Sequence, residues 1–147
     1  DQDTRRWDRV AIDEGLRQLD RARRLAGDTP GGYTLQAEIA AGHAGHRSPA
    51  EVAAAYEELD RIEPSPIVRM NRAVSIALAG DVAEGLVMLD AVTGLDGYHY
   101  YAGARADLLR RLGRREEARA AYVEALATVG NDAERRFYRR RLAELTD

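Results

Sequence analysis

Two imidazoles, His43 and His46, stand three residues apart, a spacing at which one helix end can present both rings to a metal ion. No third ligand accompanies them: Glu38 lies five residues before His43 and so on a different face, and His99 is remote. A packed or capping histidine is the favoured reading, and no metal site is expected. Glu57 with Glu58, and Glu116 with Glu117, are adjacent pairs. Neighbours on a helix point about 100° apart, so neither pair can share a proton in acid–base catalysis. No Ser-His-Asp set and no Walker-type glycine run occurs. The chain has no cysteine, so a thiolate nucleophile, a disulfide and a thiolate metal site are excluded. The expectation is no enzyme activity, no catalytic residue and no cofactor.

Arginine is the other chemistry-bearing set, because guanidinium groups grip phosphates and carboxylates. All 22 basic residues are Arg, five of them in "RRLGRREEARAAY" (110–122) and five more at Arg135, Arg136, Arg139, Arg140 and Arg141. A nucleic-acid surface should carry a clear basic excess. Residues 1–30 hold seven acids and seven arginines, residues 33–97 ten acids and four arginines (net −6), and residues 98–147 eight acids and eleven arginines (net +3). A tail of +3 with interleaved acids falls short, and the arginines at 135–141 encircle a helix instead of forming one stripe. Direct DNA contact through them ranks behind protein binding.

The elements that must position these groups are helices. The 147 residues suit one domain, Ala, Leu, Arg and Glu dominate, and no sustained period-2 alternation appears, so the fold class is all-α. "SPAE" (48–51) offers Ser48 as N-cap, Pro49 at the first helical position and Glu51 at the third. "SP" at 65–66 repeats the device, and "DVAE" (81–84) and "NDAE" (131–134) mark further starts. Eight helices follow, at 4–26, 33–45, 49–62, 66–79, 82–93, 98–112, 115–129 and 132–145. Short turns between them imply antiparallel hairpins. No apolar run reaches the roughly 20 residues of a membrane span and no signal peptide appears, so a cytoplasmic, membrane-free location is expected. The start at Asp1, without methionine, suggests a piece of a longer protein.

A repeat of 33 residues organises the hairpins. It aligns Tyr56, Leu89 and Tyr122; Ala40, Ala73 and Ala106; His43, Ile76 and Leu109; Val52, Gly85 and Ala118; and Leu59, Val92 and Ala125. Three units span about 33–65, 66–98 and 99–131, within a domain that opens with an N-terminal helix in 1–30 and closes with a capping helix in 132–147. Small residues recur where two helices of a hairpin meet closely, and a large residue four positions on fills the space beyond. With Gly113, Ala118, Tyr122 and Ala125, the last unit resembles the tetratricopeptide repeat, and the expected architecture is a short solenoid of that kind. Arg47 stands where that repeat places glycine, so the first turn departs from it. The terminal helices should act as caps, the first through Ile12, Leu16, Leu19 and Leu25 or Ala26, the last through Phe137 or Tyr138, Leu142 and Leu145. Apolar residues on the first helix of each unit (Ala41, Ala44, Ile67, Met70, Val74, Ala77, Leu78) suggest that helix 4–26 fills the concave side with Trp7 or Leu16.

Almost end to end, the chain resembles the C-terminal extension of a group of extracytoplasmic-function (ECF) RNA polymerase sigma factors, in which a tetratricopeptide-like domain follows the two sigma regions. "DQDTRRWD" (1–8), "YTLQAEIAAGHA" (33–44), "PSPIVRMNRAVSIALAGD" (64–81), "GYHYYAGARADLLRRLGRREEARAAY" (97–122) and "ERRFYRRRLAEL" (134–145) carry the resemblance. After "DQD" the group usually has Arg or another polar residue where this chain has Thr4, so that motif is met only through Arg5 or Arg6. The resemblance implies a regulatory domain that contacts the sigma regions of the same full-length protein, or RNA polymerase, with promoter DNA engaged only through those sigma regions. Candidate protein-interaction residues are Asp1, Gln2 and Asp3 at the junction, Arg5 and Arg6, Asn71 and Arg72 inside "MNRAV", and Arg110 and Arg111 on the groove side. Asp3 or Thr4 also suits a helix N-cap, and hydrogen bonding to a neighbouring turn is the plainer reading of Asn71 and Arg72. Tyr98, His99, Tyr100 and Tyr101 should mostly pack, with one or two able to form an aromatic contact surface. The alternative function is a stand-alone peptide-binding adaptor of the same fold.

Overall fold

The computed structural model describes residues 4–145, with side chains from Arg9 onward. Eight helices run through them: α1 (Thr4–Ala26), α2 (Gly32–His43), α3 (Pro49–Ile62), α4 (Pro66–Leu78), α5 (Val82–Asp90), α6 (His99–Arg111), α7 (Arg115–Thr128) and α8 (Asp132–Ala143). Among the described residues there is no strand, so the all-α class stands. Each helix packs mainly on its neighbours in sequence, with α4 also touching α6, the arrangement of a hairpin solenoid.

Three of the four marked starts work as read. Ser48 accepts from the Glu51 amide while the Glu51 carboxylate accepts from the Ser48 amide at 2.7 Å, a complete capping box with Pro49 behind it. Asp81 and Asn131 accept from the amides of Glu84 and Glu134. Ser65 differs: its hydroxyl makes no cap bond, and its amide donates to Asp60 at 3.3 Å. The turns after α4 and α6 need positive φ, which Gly80 (+123°) and Gly113 (+74°) supply.

The 33-residue register holds in the second and third units. Ala73 and Ala106 are fully buried, as are Leu89 and Tyr122. On α5, a methyl group on Gly85 would lie 2.7 Å from the Ala77 Cβ and 2.8 Å from the Ala73 carbonyl, so the small residue permits the close approach. The first unit departs from the register, because Ala40 is exposed. There the second helix carries Val52 in place of a small residue, and the close-approach position moves to α2, where a Cβ on Gly42 would sit 2.0 Å from the Val52 side chain. Leu35, Ile39 and Gly42 therefore face α3, roughly 100° about the α2 axis from the repeat-aligned positions 40 and 43.

Helix α1 does not fill a concave side. It packs on α2, Ile67 is 44 % exposed, and Met70 is buried in a cluster with α5, α6 and α7 residues. The cause lies in the register itself: stepping back 33 residues from Val52, Tyr56 and Leu59 gives Leu19, Arg23 and Ala26. The second half of α1 thus takes the place of the second helix of a preceding unit. Arg23 fixes it by a two-pronged contact with Glu58 (3.0 and 2.6 Å), and Asp20 receives Arg47. Leu16, Leu19 and Ala26 are half-buried, whereas Ile12 and Leu25 are exposed. Trp7 lies outside the described side chains. At the other end Tyr138, and not Phe137, is the buried cap residue.

Two apolar clusters result. The smaller joins Leu35, Ile39, Val52, Ala55, Tyr56 and Leu59 with Val68 against it. The larger runs from Met70, Ala73 and Ala77 through α5, α6 and α7 to Tyr138. Helix α4 contributes to both.

Candidate protein-interaction face

The repeat aligns four positions on each of α4, α6 and α8: Ile67, Asn71, Val74 and Leu78 on α4; Tyr100, Ala104, Asp107 and Arg111 on α6; Ala133, Phe137, Arg140 and Glu144 on α8. Each set follows the helical spacing i, i+4, i+7, i+11, and each is 33 residues from the next. Their exposure repeats too: the outer residues of the α4 and α6 sets are exposed and the inner two half-buried. Leu78 is 60 % exposed, Tyr100 45 % and Phe137 40 %. Side chains bridge the rows. Arg111 donates to the Ala77 carbonyl at the end of α4 (3.1 Å), and the Tyr100 hydroxyl donates to Glu134 of α8.

At the base of the α6 and α8 rows, His99 lies 2.8 Å from Glu134, and Tyr138 donates to the His99 carbonyl at 3.3 Å. The Tyr100 hydroxyl, then His99 and the Asn131 cap, hold the Glu134 carboxyl below the usual carboxylate range. Burial, then the Glu134 charge, push the Tyr138 phenol up to about 12. The group is a structural clamp of α8 on α6.

The residues singled out from the sequence are placed as follows. Asp1, Gln2 and Asp3 lie outside the described residues, as do the side chains of Arg5 and Arg6. Arg72 meets Glu57 of α3 at 3.1 Å. Burial pushes the Tyr56 phenol up and Asn71 offsets part of that rise, while the Tyr56 hydroxyl meets His43 Nε2 at 3.2 Å. Arg110 turns to Asp107 of its own helix (2.7 Å), so of the arginine pair only Arg111 joins the face. Met70 and Ala77 belong to the core, which leaves Ile67, Val74 and Leu78 as the apolar row. Arg135 is tied to the Val129 carbonyl and Arg141 to Glu144, while Arg136, Arg139 and Arg140 are exposed. The five therefore do not act as one basic stripe. His46 is exposed, and among the described residues no group of three metal-ligating side chains forms.

A ladder of ion pairs escaped sequence reasoning. Arg72 with Glu57 and Arg105 with Asp90 (2.7 Å) are the same contact one repeat apart, since 72 to 105 and 57 to 90 are both steps of 33. Each ties a second helix to the first helix of the next unit. The signal was present as a charge pair recurring at the repeat length.

The chain is 40 % identical over 151 aligned residues to an uncharacterized protein of Rhizobium meliloti (strain 1021), an overlap that covers 99 % of this chain and 35 % of the relative. The chain thus spans about a third of the length of the curated relative it matches. No family model and no solved structure matches it. No described helix is long and apolar enough to cross a membrane.

Proposed function

We propose that this chain is the regulatory protein-interaction domain of an ECF sigma factor, acting in the cytoplasm through contacts with the sigma regions of the same polypeptide or with RNA polymerase. It works by binding, not catalysis. The observation that carries the interaction reading is the face of α4, α6 and α8, where exposed apolar and cationic side chains occupy repeat-aligned positions on a hairpin scaffold. The sigma assignment draws its support from the end-to-end sequence resemblance, above all "DQDTRRWD" and "PSPIVRMNRAVSIALAGD". A relative nearly three times as long accords with a domain that works inside a larger polypeptide.

In this reading the solenoid holds the "DQD" segment at the junction with the sigma regions and biases whether the factor engages a promoter. The test is promoter-directed transcription by the full-length factor carrying Asp1→Ala or Asp3→Ala. Transcription should change by about tenfold, the effect of losing one interface contact worth roughly 1.4 kcal/mol, with circular dichroism unchanged. Normal folding with unchanged transcription removes the claim. If no helix-turn-helix region precedes Asp1 in the full gene, the adaptor reading takes its place.

A further inference from the structure

The face described above is chemically graded. Its α4 row is apolar (Ile67, Val74, Leu78), its α6 row mixed, and its α8 row combines Phe137 with Arg140, whose guanidinium lies 5.9 Å from the Phe137 ring. Its charges are also unevenly compensated. Asp107 is held by Arg110, Glu144 by Arg141, and Glu134, at the base of the α8 row, by His99 and Tyr100. By contrast, Arg111 bonds only a carbonyl and Arg140 only overlies Phe137, so neither has a carboxylate partner among the described residues. Arg136, one turn from Arg140, adds a third uncompensated cation.

We propose that this face receives an acidic amphipathic segment of a protein, laid across α4, α6 and α8 with its apolar residues over Ile67, Val74 and Leu78 and its carboxylates at Arg111 and Arg140. The proposal rests on the protein-interaction reading above and names the chemistry of the partner. Charge complementarity selects acid over base, and the apolar row selects a segment with anchoring side chains over a bare polyanion. The apolar row lies on α4 and the cations without carboxylate partners on α6 and α8, so apolar and acidic residues should fall in successive halves of the segment.

The probe is a fluorescent 14-residue peptide with leucines in one half and glutamates in the other, titrated against the 147-residue chain. A peptide of the same composition with the two residue types interleaved is the comparison. The segregated peptide should bind more tightly. Leu78→Ser should weaken it about fivefold, and Arg140→Glu about tenfold at low salt and much less at high salt. Val87→Ser, an exposed change on α5, should leave binding unaltered, and circular dichroism confirms folding of each variant. Equal binding of the two peptides, or indifference to both face variants, overturns the proposal. So does self-association of the chain that Leu78→Ser abolishes, or duplex DNA binding more tightly than the peptide through Arg140. Loss of the face with Asp1→Ala still altering transcription would leave the regulatory reading standing. Peptide binding with transcription unmoved by the Asp1 and Asp3 variants would remove the sigma reading and leave the face.

Discussion

Tyr138 shows how much one residue decides. Its ring packs against Tyr122 and fills the notch that Gly103 leaves, where an added Cβ would lie 2.5 Å from the Tyr138 hydroxyl. The phenol is raised because burial disfavours its charged form. A group whose folded pKa lies above its unfolded value contributes stability that is complete below the unfolded value and is lost as pH climbs through the folded one. For Tyr138 that window is pH 10 to about 12. Tyr138→Phe should cost about 1 kcal/mol at pH 7 by removing the bond to the His99 carbonyl, and should flatten part of the alkaline decline. Urea titrations at pH 7, 10 and 11.5 measure both effects, and an unchanged alkaline slope would rule out the titration. Periodicity could not choose between Phe137 and Tyr138, because the choice depends on a notch in another helix. By the same logic His43, aligned with Ile76 and Leu109, is a partner of the Tyr56 hydroxyl on the surface and not a packed residue.

At the scale of elements, helix positions were legible because the sequence states them twice, in caps and in turns. Ser48, Pro49 and Glu51 fix the start of α3 by satisfying orphan amides, a local effect that needs no knowledge of the fold. Which way a helix faces is not local. Helix α2 turns its Ala40 outward because Val52 on α3 demands a glycine opposite, and α1 is held on the α2–α3 hairpin because Arg23 reaches Glu58 of α3 and Glu38 of α2. The α1 attachment is correspondingly thin: a half-buried Arg23 with Glu58 and, at 3.7 Å, Glu38, and Asp20 with Arg47, over a few half-buried apolar groups. Arg23→Ala should reduce overall stability by only about 1 kcal/mol, given the partial exposure of the pair. It should nevertheless strip hydrogen-exchange protection from α1 selectively. Equal loss of protection in α1 and α7 would show that α1 is not a separately held element.

Across the whole molecule, the repeat made the interaction face half visible. Ile67, Val74, Leu78 and Arg111 followed from the 33-residue register, and Phe137 and Arg140 are the same positions carried one unit further. They were hidden because the terminal cap helix α8 also occupies the register position of the first helix of a further unit. The uncompensated arginines could not be read from sequence, because compensation depends on which acids lie across a helix boundary. The two apolar clusters give a global prediction. In a solenoid each unit is stabilised mainly by its neighbours, so α2 and α3, resting on six buried residues and Val68, should exchange their amides sooner than α6 and α7. Uniform exchange across the four helices would contradict two separable clusters.

The division of the core at α4 also bears on the order in which the chain is made. Synthesis delivers α1, α2 and α3 first, yet the small cluster is unfinished until Val68 arrives on α4, and α4 in turn leaves Met70, Ala73 and Ala77 bare until α5 and α6 follow. The half of these 147 residues made first therefore emerges with the weaker core, and its lasting shape is set by sequence that the ribosome has yet to read.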